Sequence, residues 1–268
     1  MELYVVAIDW SGRAKRASEA IWMACASGGR LVELENGRNR DEVINEVIAR
    51  KDRESRVAVG LDFAFSFPRW YCEREGWSSA RDVWRAMHQR GEEMLAACEP
   101  PLWGRSGRGA QTQGASLRQT ETGFGAKSVF QIGGAGAVGT GSIRGMPYLL
   151  RLAQAGFSIW PFDAPTLPIV VEIYPRLLTG KVDKGRQRCR RAYLEEHFAQ
   201  QDGVLRERAA GSEDAFDAAV SAIMMSRHAR ELERLPMLAR DSPEATEGAI
   251  WAPDEAALRA LAPVEKPR

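Results

Sequence analysis

Short apolar runs separated by turn residues open the chain. The segments LYVVAID (3–9), EAIWMACA (19–26) and RLVELEN (30–36) read as strands, with GRAKRAS and SGG as the turns between them, and predict an antiparallel meander. In DEVINEVIARK (41–51) the apolar period changes, because Val43, Ile44, Val47 and Ile48 fall at helical spacing. RVAVGLDFAF then returns to strand. Strands, a helix and a further strand predict an α/β sheet with a right-handed crossover.

Residues 69–98 are helical in pattern, with Trp84, Met87, Met94 and Leu95 as packing positions. Residues 99–125 are rich in Gly, Ser, Gln and Arg, which predicts a long surface loop. Beyond it, KSVFQIGG suggests another strand, MPYLLRLAQAGF a helix starting near Pro147, and FSIWPFD an extended piece. PIVVEIYP (168–175) is a strand ended by Pro175, and RQRCRRAYLEEHFAQQ and SEDAFDAAVSAIMMSRHARELERL predict two helices. Neither an internal repeat nor a long heptad pattern is present. One domain is expected over residues 1–268, with an insertion over about 69–165.

The apolar stretch VAVGLDFAFSFP (57–68) carries one discordant side chain, Asp62. A strand so apolar is normally covered on both faces, and an ionised carboxylate there needs a partner. Its candidate companions are Asp9 at the end of the first strand, Glu172 inside PIVVEIYP, and Asp214 with Asp217 in SEDAFDAAVSA. The last two are three residues apart and share one helical face. If these five acids from four elements converge, their repulsion must be relieved by divalent cations or by raised pKa values. Oxygen ligands without His or Cys select Mg²⁺ or Mn²⁺, and two such ions roughly 4 Å apart support phosphodiester hydrolysis. Three of the acids also have a simpler reading. Asp9 can cap the turn at WSG, Glu172 can pair with a base such as Arg176, and Asp214 can serve the helix dipole after an N-cap at Ser212. Glu213 is assigned to solvent and the dipole, with a substitute ligand role as its alternative.

GGAGAVG (133–139) contains a literal GxGxxG. Gly141, Gly145 and Pro147 stand where the first turns of a dinucleotide-binding helix belong, which argues against a nicotinamide or flavin site. The same glycine-rich loop could hold a phosphate, with Lys127 and Arg144 as charge partners. The run GKVDKGRQRCRR (180–191), containing Lys184 and Arg186, together with Arg105, Arg108 and Arg118, could form a local phosphate-binding patch. His88, His197 and His228 share no spacing, Ser11 and Ser66 lie in no GxSxG elbow, and Trp251 is expected to pack the tail onto the domain.

Composition adds boundaries. The 268 residues are 44% hydrophobic, enough for a sizeable core, and 37 basic against 36 acidic side chains leave a net charge of +1, with no global pull on nucleic acid or membrane. Cys25, Cys72, Cys98 and Cys189 form no CxxC pair. The amino terminus fails as a signal peptide and no apolar run reaches the roughly 18 residues of a membrane span, so a cytoplasmic protein is expected.

AIDWSG, VGLDFAFSFP, VEIYP, SEDAFDAAVSA and EGAIWAP, in this order between residue 3 and about 253, resemble the domain-of-unknown-function family of predicted ribonuclease-H-like nucleases. The resemblance implies a mixed five-stranded sheet of order 3-2-1-4-5 with helices on both faces. It implies a Mg²⁺- or Mn²⁺-dependent nuclease acting on nucleic acid, with Asp9, Asp62, Asp214 and Asp217 as the acids on the first strand, the fourth strand and the helix after the sheet. Glu172 matches the family's own motif, with a less defined assisting role. Two alternatives accompany it. AIDWSG is also similar to the opening of actin-like ATPases and sugar kinases, although no second copy of such a domain is present, and a nuclease fold can serve as a non-catalytic binding module for nucleic acid or protein.

Overall fold

The computed structural model describes residues 2–105, 114–123 and 125–254. It opens with β1 (Tyr4–Asp9), β2 (Trp22–Ser27) and β3 (Arg30–Asn36), paired antiparallel in the expected meander. α1 (Arg40–Arg53) starts with a capping box: Asn39 Oδ1 accepts the Glu42 N–H at 3.0 Å, and the Glu42 carboxylate accepts the Asn39 N–H at 2.8 Å. Its buried stripe of Val43, Ile44 and Val47 carries the chain across to β4 (Val57–Leu61), which lies parallel to β1 with Ile8 opposite Leu61.

The helical stretch after β4 is broken into α2 (Arg69–Arg74) and α3 (Ala80–Ala97), the latter capped by Ser79. α4 (Val138–Gln154) and β5 (Ser158–Ile159) follow, then β6 (Ile169–Ile173) and α5 (Pro175–Thr179). α6 (Gln187–Phe198), α7 (Gly203–Ala210) and α8 (Glu213–Arg227) come next. α9 (Ala229–Leu232), α10 (Glu244–Glu247) and β7 (Ile250–Trp251) close the described chain.

The α/β class holds, with one mixed sheet and helices packed on it. Strand count and order differ from the expected five strands in order 3-2-1-4-5: among the described residues seven strands form the sheet, in the order β3-β2-β1-β4-β6-β5 with β7 also paired to β6. The physical reason is that the exposed edge of β6 is shared by two dipeptide strands. Ser158 and Ile159 pair with Ile169 and Val170, while Ile250 and Trp251 pair with Glu172 and Ile173. Two residues are too few to leave a period in the sequence.

Other readings change as well. KSVFQIGG is no strand: it is an irregular segment that makes a single bridge from Gln131 to Trp103 and buries Val129, Phe130 and Ile132. The helix expected near Pro147 begins nine residues earlier, at Val138, with Pro147 inside it. Gly139 and Gly145 act as close-packing positions, since a Cβ would run into the Val129 carbonyl oxygen on the first and lie 2.7 Å from the Phe63 ring on the second. The third glycine of GxGxxG therefore does adjoin a helix start, and the dinucleotide reading fails instead because no strand precedes the loop. α7 is an additional helix between the two expected ones.

Strand alternation divides the interior into two cores. Val6, Ile8, Val59 and Leu61 face α1, α3 and α4, whereas Val5, Ala7, Ala58, Val171 and Ile173 face α8. Phe216, Val220 and Ile223 of α8 are fully buried in the second core, each contributing roughly 1.5–3 kcal/mol. That burial fixes where the start of α8 sits over the sheet. Trp251 is 3% exposed, so the tail segment does pack back as expected. Among the described residues no helix is long and apolar enough to cross a membrane.

Candidate active site

Asp9 is the last residue of β1, and Asp62 is the first residue after the parallel β4. The Asp62 N–H donates to the Ile8 carbonyl at 3.1 Å, extending the parallel ladder by one step and placing the two aspartates on neighbouring strand ends. Asp9 shares the parity of Val5 and Ala7, and Asp62 that of Ala58, so alternation directs both to the α8 face. Ser212 caps α8 by accepting the Ala215 N–H at 3.0 Å. Asp214 and Asp217 follow in the first turns, where the helix dipole favours negative charge, while Phe216 turns into the core.

These four carboxyls feel one another. Burial, then the charges of Asp62, Asp217 and Asp214, holds Asp9 well above the usual carboxylate range. Burial first and Asp217 next push Asp62 up to about 8, with Lys184 pulling the other way. Asp217 is raised by burial and lowered by Lys184; Asp214 is raised by burial and lowered by Arg13 and Lys184. Lys184 Nζ lies 2.5 Å from Asp217 Oδ2, whereas Asp217 Oδ1 is buried without a hydrogen-bond partner. Among the described residues no three carboxylate, imidazole or thiol groups are already drawn together as a ligand set.

Glu172 leaves its strand on the opposite face, although its charge still adds to the rise of Asp62. Its parity on β6 is that of Val170, so it points to the face opposite Val171, Ile173 and α8. Its Oε2 accepts the Phe65 N–H at 2.9 Å and Arg118 Nη1 at 2.8 Å, and its Oε1 accepts Arg118 Nη2. Arg118, fully buried, also donates to Glu121 Oε1 and to the Glu247 carbonyl, both at 2.8 Å. The expected ionic partner Arg176 is thus replaced by an arginine from the loop, because the strand's alternation aims Glu172 at that loop. Burial raises the Glu172 carboxyl and Arg118 opposes the rise.

A cleft of about 230 Å³ opens beside Asp62, lined by Trp10, Gly12, Lys127, Tyr174, Glu172 and the Gly136–Val138 turn that begins α4. Lys127 thus shares a cleft with Asp62. Of the other expected phosphate partners, Lys184 pairs with Asp217, while the arginines are engaged elsewhere. Arg144 pairs with Glu92 at 2.6 Å and donates to the Gly12 carbonyl, and Arg186 pairs at the surface with Asp183 at 3.1 Å. Arg105 donates to the Leu95 and Ile132 carbonyls, and Arg118 is buried, so the expected basic patch does not form from them. In both cases the guanidinium satisfies carbonyls or carboxylates of irregular chain that would otherwise lack donors. Arg108 lies outside the described residues. Tyr174, just past Glu172, was not singled out from the sequence, yet it lines the cleft and its phenol is raised by burial and by the charges of Asp62 and Asp217.

The turn after Asp9 is held by two arginines. Arg40 Nη2 donates to the Ser11 and Arg13 carbonyls at 2.7 and 2.6 Å, while Arg144 takes the carbonyl between them. Gly12 lies against α4, where a Cβ on it would sit 2.6 Å from the Gly141 nitrogen. Gly12→Ala is therefore expected to cost roughly 1–3 kcal/mol by overpacking. A fall in urea midpoint with unchanged slope checks it; an unaltered midpoint would contradict this packing. No protein-family model, curated protein or solved structure matches this chain.

Proposed function

We propose that the chain is a metal-dependent phosphodiesterase that cleaves nucleic acid, built on a ribonuclease-H-like plan. The observation that carries this reading is the placement of Asp9, Asp62, Asp214 and Asp217 on one face, at the carboxyl ends of two adjacent parallel strands and the start of the helix covering them. Ligands of open α/β sheets bind at such strand ends. The order β3-β2-β1-β4 supports the ribonuclease-H-like plan, while the two-strand edge on β6 departs from it. The absence of any CxxC pair in the sequence fits a reducing, cytoplasmic setting.

The residues suit a hard divalent cation. Every donor is a carboxylate oxygen, and the orphaned Asp217 Oδ1 is a buried acceptor lacking any positive or N–H partner. Asp9, Asp62, Asp214 and Asp217 would hold Mg²⁺ or Mn²⁺. When bound, such ions supply Lewis-acid stabilisation of the attacking and leaving oxygens in phosphodiester hydrolysis. Asp9 and Asp62, carried on strands, fix one side of the site; Asp214 and Asp217, on a helix anchored by its core face, close the other. Lys127 offers a positive charge to a phosphate entering the cleft, and Tyr174 offers a hydroxyl and an aromatic wall.

Single- and double-stranded DNA and RNA offered with Mn²⁺ or Mg²⁺ test the reading. At least one substrate is expected to be cut, EDTA to stop cleavage, and Asp9→Asn to slow it by at least ~100-fold. Cleavage that survives EDTA, or an undiminished rate in Asp9→Asn, contradicts it. An ATP-dependent thermal shift with phosphate release would favour the ATP-handling alternative, and tight nucleic-acid binding without turnover the non-catalytic one.

A further inference from the structure

Lys184 lies in the connection between α5 and α6, on backbone that is pinned next to the start of α8. Its N–H donates to the Val182 carbonyl at 3.0 Å, and its own carbonyl accepts from Arg190. Arg190, itself buried, also donates to the Ala210 and Gly211 carbonyls just before α8. The lysine stem is thereby aimed at Asp217, one of whose oxygens it takes while the other stays unpartnered. Its side chain is only 17% exposed.

The charge balance is uneven. Lys184 is the cation that acts on all four aspartates, with Arg13 reaching Asp214 as well. One ammonium takes one Asp217 oxygen and leaves the other unpartnered, and a compact point charge on a flexible four-carbon stem can leave when a stronger cation arrives. A divalent ion binding Asp217 would meet Lys184 as its direct competitor.

We propose that Lys184 is a built-in counter-ion, which occupies Asp217 in the metal-free protein and is displaced when a divalent cation binds. The proposal rests on the metal-dependent reading of the same site. It makes Lys184 a positioning residue: the ammonium keeps Asp217 and its neighbours together before the ion arrives, and its release is part of binding.

Calorimetric titration of Mn²⁺ into the full chain and into Lys184→Met tests this without any substrate. The variant is expected to bind Mn²⁺ about tenfold more tightly, since the competing pair is gone. Its metal-free melting temperature is expected to fall, and saturating Mn²⁺ to restore it to that of the loaded wild type. Equal or weaker affinity in the variant, with Mn²⁺ still bound by the wild type, overturns this proposal alone. No binding to either protein overturns both this proposal and the metal-dependent reading. In the wild type, amine acylation followed by mass spectrometry provides a measurement independent of the variant's folding. Mn²⁺ is expected to speed labelling of Lys184 several-fold, and an unchanged or slower rate overturns the displacement.

Discussion

Asp62→Asn is expected to abolish cleavage and, at the same time, to make the metal-free protein more stable at pH 8. Both effects follow from one feature. The folded protein holds Asp62 at about 8 against an ordinary value of 3.8, through burial and then through Asp217. Between those limits the folded state binds more protons than the unfolded state, so stability falls as pH rises. The contribution is fully present below about pH 4 and is lost as pH passes through about 8. Asparagine never ionises and escapes that loss.

The variant is expected to gain about 2 kcal/mol at pH 8. For a chain of this size that is a rise of roughly 5 °C in melting temperature at pH 8, shrinking towards zero at pH 4. Mn²⁺ should reverse the ranking, stabilising the wild type more than the variant. Differential scanning calorimetry at several pH values with and without Mn²⁺ measures all of this. A variant less stable than the wild type at pH 8 without metal would mean that Asp62 is not under electrostatic strain.

Arg118→Met has the largest expected cost. The guanidinium is wholly buried and joins Glu172, Glu121 and the Glu247 carbonyl; Glu247 in turn accepts the Arg69 and Gln119 N–H groups at 2.8 and 2.5 Å. One buried cation thus ties the loop around 118–121, strand β6 and helix α10 together. Removing it leaves two buried carboxylates without a counter-charge, which costs roughly 3–5 kcal/mol. The freed carboxylates then favour their protonated forms, so the loss should be smallest near pH 5 and grow as pH rises. Adding Glu172→Gln should recover part of it. Urea unfolding at pH 5 and pH 8 checks both statements, and a loss below ~1 kcal/mol, equal at the two pH values, would contradict them.

The acids of the α8 face were legible in the sequence because each breaks a local rule. Asp62 interrupts an apolar run, Asp9 ends one, and Asp214 and Asp217 stand at helical spacing behind a Ser cap. Glu172 interrupts an apolar run just as plainly, yet its direction depends on the parity of β6, which only the folded register reveals. Arg118 was hidden in a polar loop that reads as surface, and its burial depends on Glu172, Glu121 and Glu247 meeting from three elements. The start of α4 was hidden for a different reason. Gly141, Gly145 and Pro147 read as breakers, whereas the helix runs through all three and the contact of Gly145 with the Phe63 ring requires it to lack a side chain. The sheet edge escaped because Ser158–Ile159 and Ile250–Trp251 are strands only by virtue of β6.

Crystals of the full chain grown with Mn²⁺, with diffraction recorded at the manganese absorption edge, test the gathering of the four aspartates most directly. Expected is anomalous density among Asp9, Asp62 and the Asp214/Asp217 pair, with the Lys184 ammonium withdrawn from Asp217. Absence of such density at millimolar Mn²⁺, with Lys184 still on Asp217, would contradict a metal-dependent site.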